Sequence, residues 1–225
     1  MKYRYELKFV LDGLDAAVLK KQLRLVCKQD PHSVGTEYSY DIRSLYFDDL
    51  FHSGYSDKVN GVEFRKKYRV RIYNRSADVI KLECKHKDGS MTRKEECDID
   101  RETAEALCKG RYSSICGAKG LLSEFLIDAK LFGLKPAVIV EYRRLAFVYP
   151  VSNVRITFDE NIRSGKNGYD LFSEDLKTYP VEGNDQVEIE IKCDEFLPDH
   201  IKAILNSTDK CRVALSKFAL ACDIK

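Results

Sequence analysis

Long apolar runs are missing from this 225-residue sequence. No stretch reaches the roughly eighteen apolar residues of a membrane-spanning helix, so none is predicted. Met1-Lys2-Tyr3-Arg4 leads straight into a strand-like segment without an apolar signal region, and no secretory leader is expected. Net charge is also scarce: 38 Lys+Arg against 36 Asp+Glu leave +2. That balance excludes a global basic field of the kind that gathers nucleic acid, so any anion site must be local. The eight cysteines, Cys27, Cys84, Cys97, Cys108, Cys116, Cys193, Cys211 and Cys222, include no C-x-x-C pair. Neither a disulfide framework nor a zinc site fits; buried reduced thiols in a cytoplasmic setting are expected. His32, His52, His86 and His200 stand apart, with no metal-ligand spacing among them. There is no G-x-x-x-x-G-K-[ST] loop, no G-x-G-x-x-G after a strand and no G-x-S-x-G elbow. No Pro/Ser-rich linker or internal repeat divides the chain, and one domain over residues 1–225 is expected.

What the sequence has in quantity is period-two alternation. Strands are predicted at 3–10, 42–48, 62–73, 79–86, 91–99, 137–149, 154–159 and 187–193. Helical periodicity occupies 14–27, 101–109, 120–132, 199–205 and 213–222, too little for a parallel α/β fold. The class is α+β with antiparallel pairing. Lys87-Asp88-Gly89-Ser90 and Pro150-Val151-Ser152-Asn153 are hairpin turns, and Gly165-Lys166-Asn167-Gly168 is a loop. Asp48, at a strand end, is expected to organise a turn rather than hold a metal.

The alternation carries an unusual charge pattern. Arg65, Lys67, Arg69 and Arg71 share one face of their strand. Lys81, Glu83 and Lys85 line up likewise, as do Arg4, Glu6 and Lys8, then Tyr142 and Arg144, then Glu188, Glu190 and Lys192. A solvated polar face explains any one strand. Taken together the strands repeat Lys and Arg with a few Glu, and like charges opposite one another cost energy unless an anion lies between them. A sheet closed into a barrel of about eight strands would turn this face into a ligand-sized lumen. Phosphate oxygens suit such a lining, since Arg offers a bidentate fork and Lys a mobile point charge. Glu6, Glu83, Glu188 and Glu190 then become candidate ligands for a hard divalent metal.

Eight segments carry a family resemblance: Arg4-Tyr5-Glu6-Leu7-Lys8-Phe9, Ser44-Leu45-Tyr46-Phe47-Asp48, Arg65 through Tyr73, Lys81-Leu82-Glu83-Cys84-Lys85, Glu141 through Phe147, Val154 through Asp159, Glu188-Ile189-Glu190-Ile191-Lys192 and Ser216-Lys217-Phe218. In this order they resemble the VTC domain, the polyphosphate polymerase domain within the CYTH or triphosphate tunnel metalloenzyme superfamily. The resemblance implies a closed, antiparallel, eight-stranded β-tunnel with flanking helices and a Mn2+ or Mg2+ ion. It implies transfer of the ATP γ-phosphate onto a polyphosphate chain, with no protein nucleophile. By motif position Arg69, Arg71, Lys81, Arg144, Arg155 and Glu190 would be catalytic. Lys8, Lys94 (or Arg93, if the stretch slips by one), Tyr142, Lys192, Ser216 and Lys217 would bind substrate, and Glu190, Glu188 and Glu6 would hold the metal. Arg4 replaces the first Glu of the superfamily's usual Glu-x-Glu-x-Lys opening, which argues against thiamine-triphosphatase and class IV adenylate-cyclase activities. A tripolyphosphate or nucleoside-triphosphate hydrolase and a non-catalytic polyphosphate-binding module are the competing readings. A membrane-protein partner, if there is one, would be a separate chain.

Overall fold

A computed structural model describes residues 5–30, 39–89, 91–165, 168–181, 183 and 185–224. Of the sequence expectations, Arg4, His32, Ser90, Lys166 and Asn167 lie outside the described residues. The strands are β1 (Tyr5–Leu11), β2 (Lys28–Gln29), β3 (Ser39–Asp48), β4 (Arg65–Tyr73), β5 (Ser76–Asp88), β6 (Met91–Asp98), β7 (Lys135–Tyr149), β8 (Val154–Gly165), β9 (Tyr179–Pro180), β10 (Val187–Cys193) and β11 (Cys211–Arg212). The helices are α1 (Gly13–Val26), α2 (Ser53–Val59), α3 (Arg101–Cys108), α4 (Gly120–Phe132), α5 (Asp199–Leu205) and α6 (Lys217–Cys222).

The protein is α+β and its registered strand pairs are antiparallel. The expected closed sheet of eight strands is corrected to eleven strands in an open order, β11-β1-β10-β8-β7-β3-β4-β5-β6, with β2 on β7 and β9 on β8. All eight predicted strands are present; the three added ones have two residues each, too short to show a period. No pairing among the described residues joins β11 to β6. Alternation assigns a residue to a face and says nothing about which edges exchange hydrogen bonds.

The predicted 213–222 helix is also corrected: it begins at Lys217, because residues 211–212 pair with β1 and Ser216 caps the helix. Helix α2 was not foreseen, having no apolar face to reveal it. Asp48 builds it instead. Its carboxylate accepts the backbone N–H groups of Asp49 (3.0 Å), Gly54 (2.8 Å) and Tyr55 (3.1 Å), the turn role expected of it. A Cβ at position 54 would stand 2.8 Å from Asp48 Oδ1, so this close approach requires glycine. Helices α1 and α3 start at the aspartate caps Asp12 and Asp100, and Gly133 ends α4 in the left-handed region.

The chain gathers into two compact units interleaved in sequence. The first comprises Met1–Tyr40, Tyr142–Ile162 and Glu182–Leu215, the second Asp41–Glu141, Arg163–Val181 and Ser216–Lys225. In the first, Leu19 and Leu23 of α1 and Ile201 and Leu205 of α5 pack with Phe147, Ile156, Phe158, Ile189 and Ile191 from the strands. In the second, Leu107 of α3 and Phe125 of α4 pack with Leu45, Tyr68, Val70, Ile72 and Leu82. Each such buried side chain contributes about 1.5–3 kcal/mol from leaving water. The consequence for function is geometric: covering the apolar alternate residues with helices assigns the charged alternates to the opposite face.

All eight cysteines are free. Burial pushes the Cys27 and Cys108 thiols up to about 11 and Cys84 to about 12, leaving them inert at neutral pH. Cys116 and Cys211 are exposed, so the buried-thiol expectation is corrected for these two. No helix among the described residues is long and apolar enough to cross a membrane.

Candidate functional site

Antiparallel register turns the cationic face of the second unit into cross-strand rows. Tyr46, Arg69, Glu83 and Glu96 form one row; Ser44, Arg71, Lys81 and Asp98 the next; Lys67, Lys85 and Lys94 a third. Glu83 is the hub. Its side chain is buried and takes the Arg69 Nε hydrogen at 2.7 Å, Arg71 at 3.3 Å and Lys94 at 3.2 Å. Burial alone would raise its carboxyl, but Arg69, Arg71 and Lys94 hold it well below the usual carboxylate range. Arg69 also donates to the Tyr46 hydroxyl at 2.8 Å. Burial opposes ionisation of that phenol too, yet Arg69, Arg71 and Lys67 bring it below its ordinary value. Arg71 Nε reaches Ser44 Oγ at 3.4 Å. Both guanidinium groups are thereby aimed, while the cations of the three rows outnumber the acids.

Lys94 pairs additionally with Glu96 at 2.6 Å, and Lys81 with Asp98 at 2.7 Å. Lys67 Nζ lies 4.3 Å from the Phe218 ring centroid and 3.5 Å from Ser216 Oγ. Ser216 caps α6, accepting from the Ala219 N–H at 3.5 Å, and Lys217 is buried in the first turn. Arg93 turns away to Glu95 at 2.6 Å, which favours Lys94 over Arg93 for the charged face.

In the first unit the rows are Lys8–Glu190–Thr157 and Glu6–Lys192–Arg155, with Glu188 opposite Asp159. Here each cation meets an acid. Arg144 grips the fully buried Asp159 bidentately, at 2.6 and 2.7 Å. Lys8 binds Glu188 at 2.8 Å, Lys192 binds Glu190 at 3.1 Å and Arg155 binds Asp30 at 2.7 Å. Arg155 also donates to Tyr40 Oη at 3.0 Å, and its Nε is buried without a hydrogen-bond partner among the described residues. The Arg144 guanidinium carbon lies 5.3 Å from the centre of the Tyr142 ring.

Glu190 experiences opposing forces. Burial would raise its carboxyl, but Lys192, Lys8, a hydrogen bond with Glu6 and Arg144 hold it well below the usual range. Two carboxyl groups in hydrogen-bond reach need a proton or a cation between them. Among the described residues no group of three His, Cys, Asp or Glu is placed to hold a metal. Glu6 and Glu190 are the two carboxylates here that could together hold a small hard cation.

Sequence reasoning placed Arg69, Arg71, Lys81 and Lys94 on one face of β4–β6, and Glu6, Lys8, Glu190 and Lys192 on one face of β1 and β10; the structure does the same. It missed the residues that hold them. Asp159, Asp30 and Tyr40 were given no role, and Glu83, read as a candidate metal ligand, is placed beside three cations. Asp159 lies inside a recognised segment and alternates onto the charged face, a signal that was available. Asp30 and Tyr40 carry no such signal.

Compared with known proteins, the sequence matches the VTC domain family model over residues 3–224. No curated protein sequence matches it. Among solved structures it is similar to a Bacillus halodurans protein described as a "putative adenylate cyclase": TM-score 0.55, 13% identity, covering 91% of this chain and 87% of that one. It is also similar to the PH1819 protein of Pyrococcus horikoshii OT3, with TM-score 0.49, 13% identity and coverage of 98% and 100%. At 13% identity the likeness to the Bacillus halodurans protein speaks to fold alone.

Proposed function

The chain belongs to the VTC domain family, and from that premise we propose that it transfers the γ-phosphate of ATP onto a polyphosphate chain with the help of Mn2+ or Mg2+. The observation that carries this reading is the hub at Glu83: one buried carboxylate orients Arg69, Arg71 and Lys94, leaving a fixed excess of positive charge on the β4–β5–β6 face. Such an excess is costly without an anion and favourable with one. Phosphoryl transfer needs positioning and charge neutralisation more than covalent chemistry. Arg69 and Arg71, held by Glu83, Tyr46 and Ser44, engage phosphate oxygens; Lys81 and Lys94 add point charges. In the first unit Arg144 is pinned by Asp159, and the unmet Nε–H of Arg155 is a donor ready for a phosphate oxygen. Tyr142, Lys8 and Lys192 supply further contacts, and Ser216 and Lys217 supply them in the second unit. Glu190 and Glu6 would hold the divalent ion, which when bound would supply further positive charge against the phosphates. Glu188, bound by Lys8, orients that lysine and is a weaker candidate ligand than Glu6.

The test is incubation of the protein with ATP and Mn2+, following long-chain polyphosphate by gel and orthophosphate in parallel. Polymer formation that falls by about two orders of magnitude or more in Arg69→Ala and Glu190→Gln is the expected result. Orthophosphate without polymer would make the chain a hydrolase. Neither product, with polyphosphate still bound, would make it a binding module.

A further inference from the structure

Three neighbouring rows cross β4, β5 and β6, and they differ in one respect. The Arg69–Glu83–Glu96 and Arg71–Lys81–Asp98 rows each contain acid. The adjoining row, Lys67–Lys85–Lys94, contains none. Residues directly opposite on paired strands have their Cβ atoms about 5 Å apart, so three lysines in register are a standing repulsion. Lys94 leans out of the row toward Glu83 and Glu96. Lys67 is held in place: its ammonium sits 4.3 Å from the centre of the Phe218 ring and 3.5 Å from Ser216 Oγ. Arg65, the next residue on this face, is drawn aside to the carbonyls of Asp57 (3.0 Å) and Lys58 (3.4 Å) at the end of α2.

We propose that Lys67 and Lys85, with the Ser216 hydroxyl, form a further phosphate subsite that sets a preference for chains longer than a triphosphate. The subsite rests on the phosphate-binding reading above and extends it by one row. Lys67 is two residues from Arg69, about 7 Å along the strand, so a phosphate there belongs to the same polyanion as those on Arg69 and Arg71. Neither lysine was singled out by motif position. In a hydrolase of tripolyphosphate this row would have no ligand to hold, whereas a growing chain supplies one.

The charge state of Lys67 provides a second signature. Burial lowers its ammonium, and the nearby Arg65 and Lys85 and the Lys58 of α2 lower it further, against the opposing influence of Tyr46 on β3; the result is a pKa of about 8. Phosphate favours the charged form, so affinity gained at this subsite declines as pH rises through that value.

Binding of tripolyphosphate and of a polyphosphate of about a hundred units is to be measured by calorimetry for the wild type, Lys67→Ala, Lys85→Ala and Lys67→Arg. The expected outcome is that each alanine variant weakens the long chain about tenfold more than it weakens tripolyphosphate. Between about pH 7 and pH 9 the wild type should lose long-chain affinity faster than tripolyphosphate affinity, and Lys67→Arg should flatten that difference because arginine stays charged. Tripolyphosphate binding doubles as the test of folding. Equal losses for both ligands, or no loss for either, would overturn the subsite while leaving the phosphate site intact. A wild type that binds neither ligand would instead overturn the functional reading beneath it.

Discussion

The two compact units handle buried charge differently. In the first, Arg144 has Asp159, Lys8 has Glu188, Lys192 has Glu190 and Arg155 has Asp30, one acid for each cation. In the second, Arg69, Arg71 and Lys94 share the single carboxylate of Glu83. One-to-one pairing positions each cation while balancing its charge. Three-to-one pairing positions without neutralising, which is what a polyanion site requires. The difference is one of residual charge: near balance in the first unit, and a cationic excess on the β4–β5–β6 face of the second.

The sharpest way to break this comparison is to remove the hub. Glu83→Gln leaves Arg69 and Arg71 beside a buried amide, while Lys94 keeps Glu96, and is expected to cost about 3–5 kcal/mol, measured by urea denaturation. A loss below about 1 kcal/mol would mean that Arg69 and Arg71 do not depend on this carboxylate. The same hub sets an acid limit. Because its folded pKa is depressed, its contribution is present above the unfolded value, about 4.3, and is lost as pH falls below it; the acid limb of a stability profile should therefore be blunted in Glu83→Gln.

Asp159→Asn should cost somewhat less, about 3 kcal/mol, since only Arg144 is left without its acid. Replacing both, as Arg144→Met with Asp159→Leu, should recover most of that stability, as expected for a one-to-one pair. Recovery that fails would show Arg144 tied to more than Asp159. The smallest effect is expected for Tyr46→Phe, about 1 kcal/mol for the hydroxyl that accepts from Arg69. A larger loss there would make Tyr46, rather than Glu83, the principal anchor of Arg69.

The charged faces were legible because alternation is a one-dimensional property. In the segment 65–71 a side chain every second residue is cationic whatever the strand pairs with, and the same holds for Glu188, Glu190 and Lys192. The anchors were less legible. Nothing within Lys81-Leu82-Glu83-Cys84-Lys85 says whether Glu83 faces a metal or three cations; the answer depends on what register sets beside it. Asp30 lies outside every recognised segment and meets Arg155 only through folding.

The sequence by itself therefore determined which residues share a face and where most strands and helices run, because periodicity and local turn chemistry are written along the chain, and its ordered segments carried the family. Tertiary structure alone decided the open order of eleven strands, the late start of α6, the formation of α2 on Asp48 and the distinction between paired and shared charge. Those depend on edge pairing, on register and on which buried carboxylate stands within about 3 Å of which cation, and Coulomb energy at that range is set by distances between residues far apart in sequence.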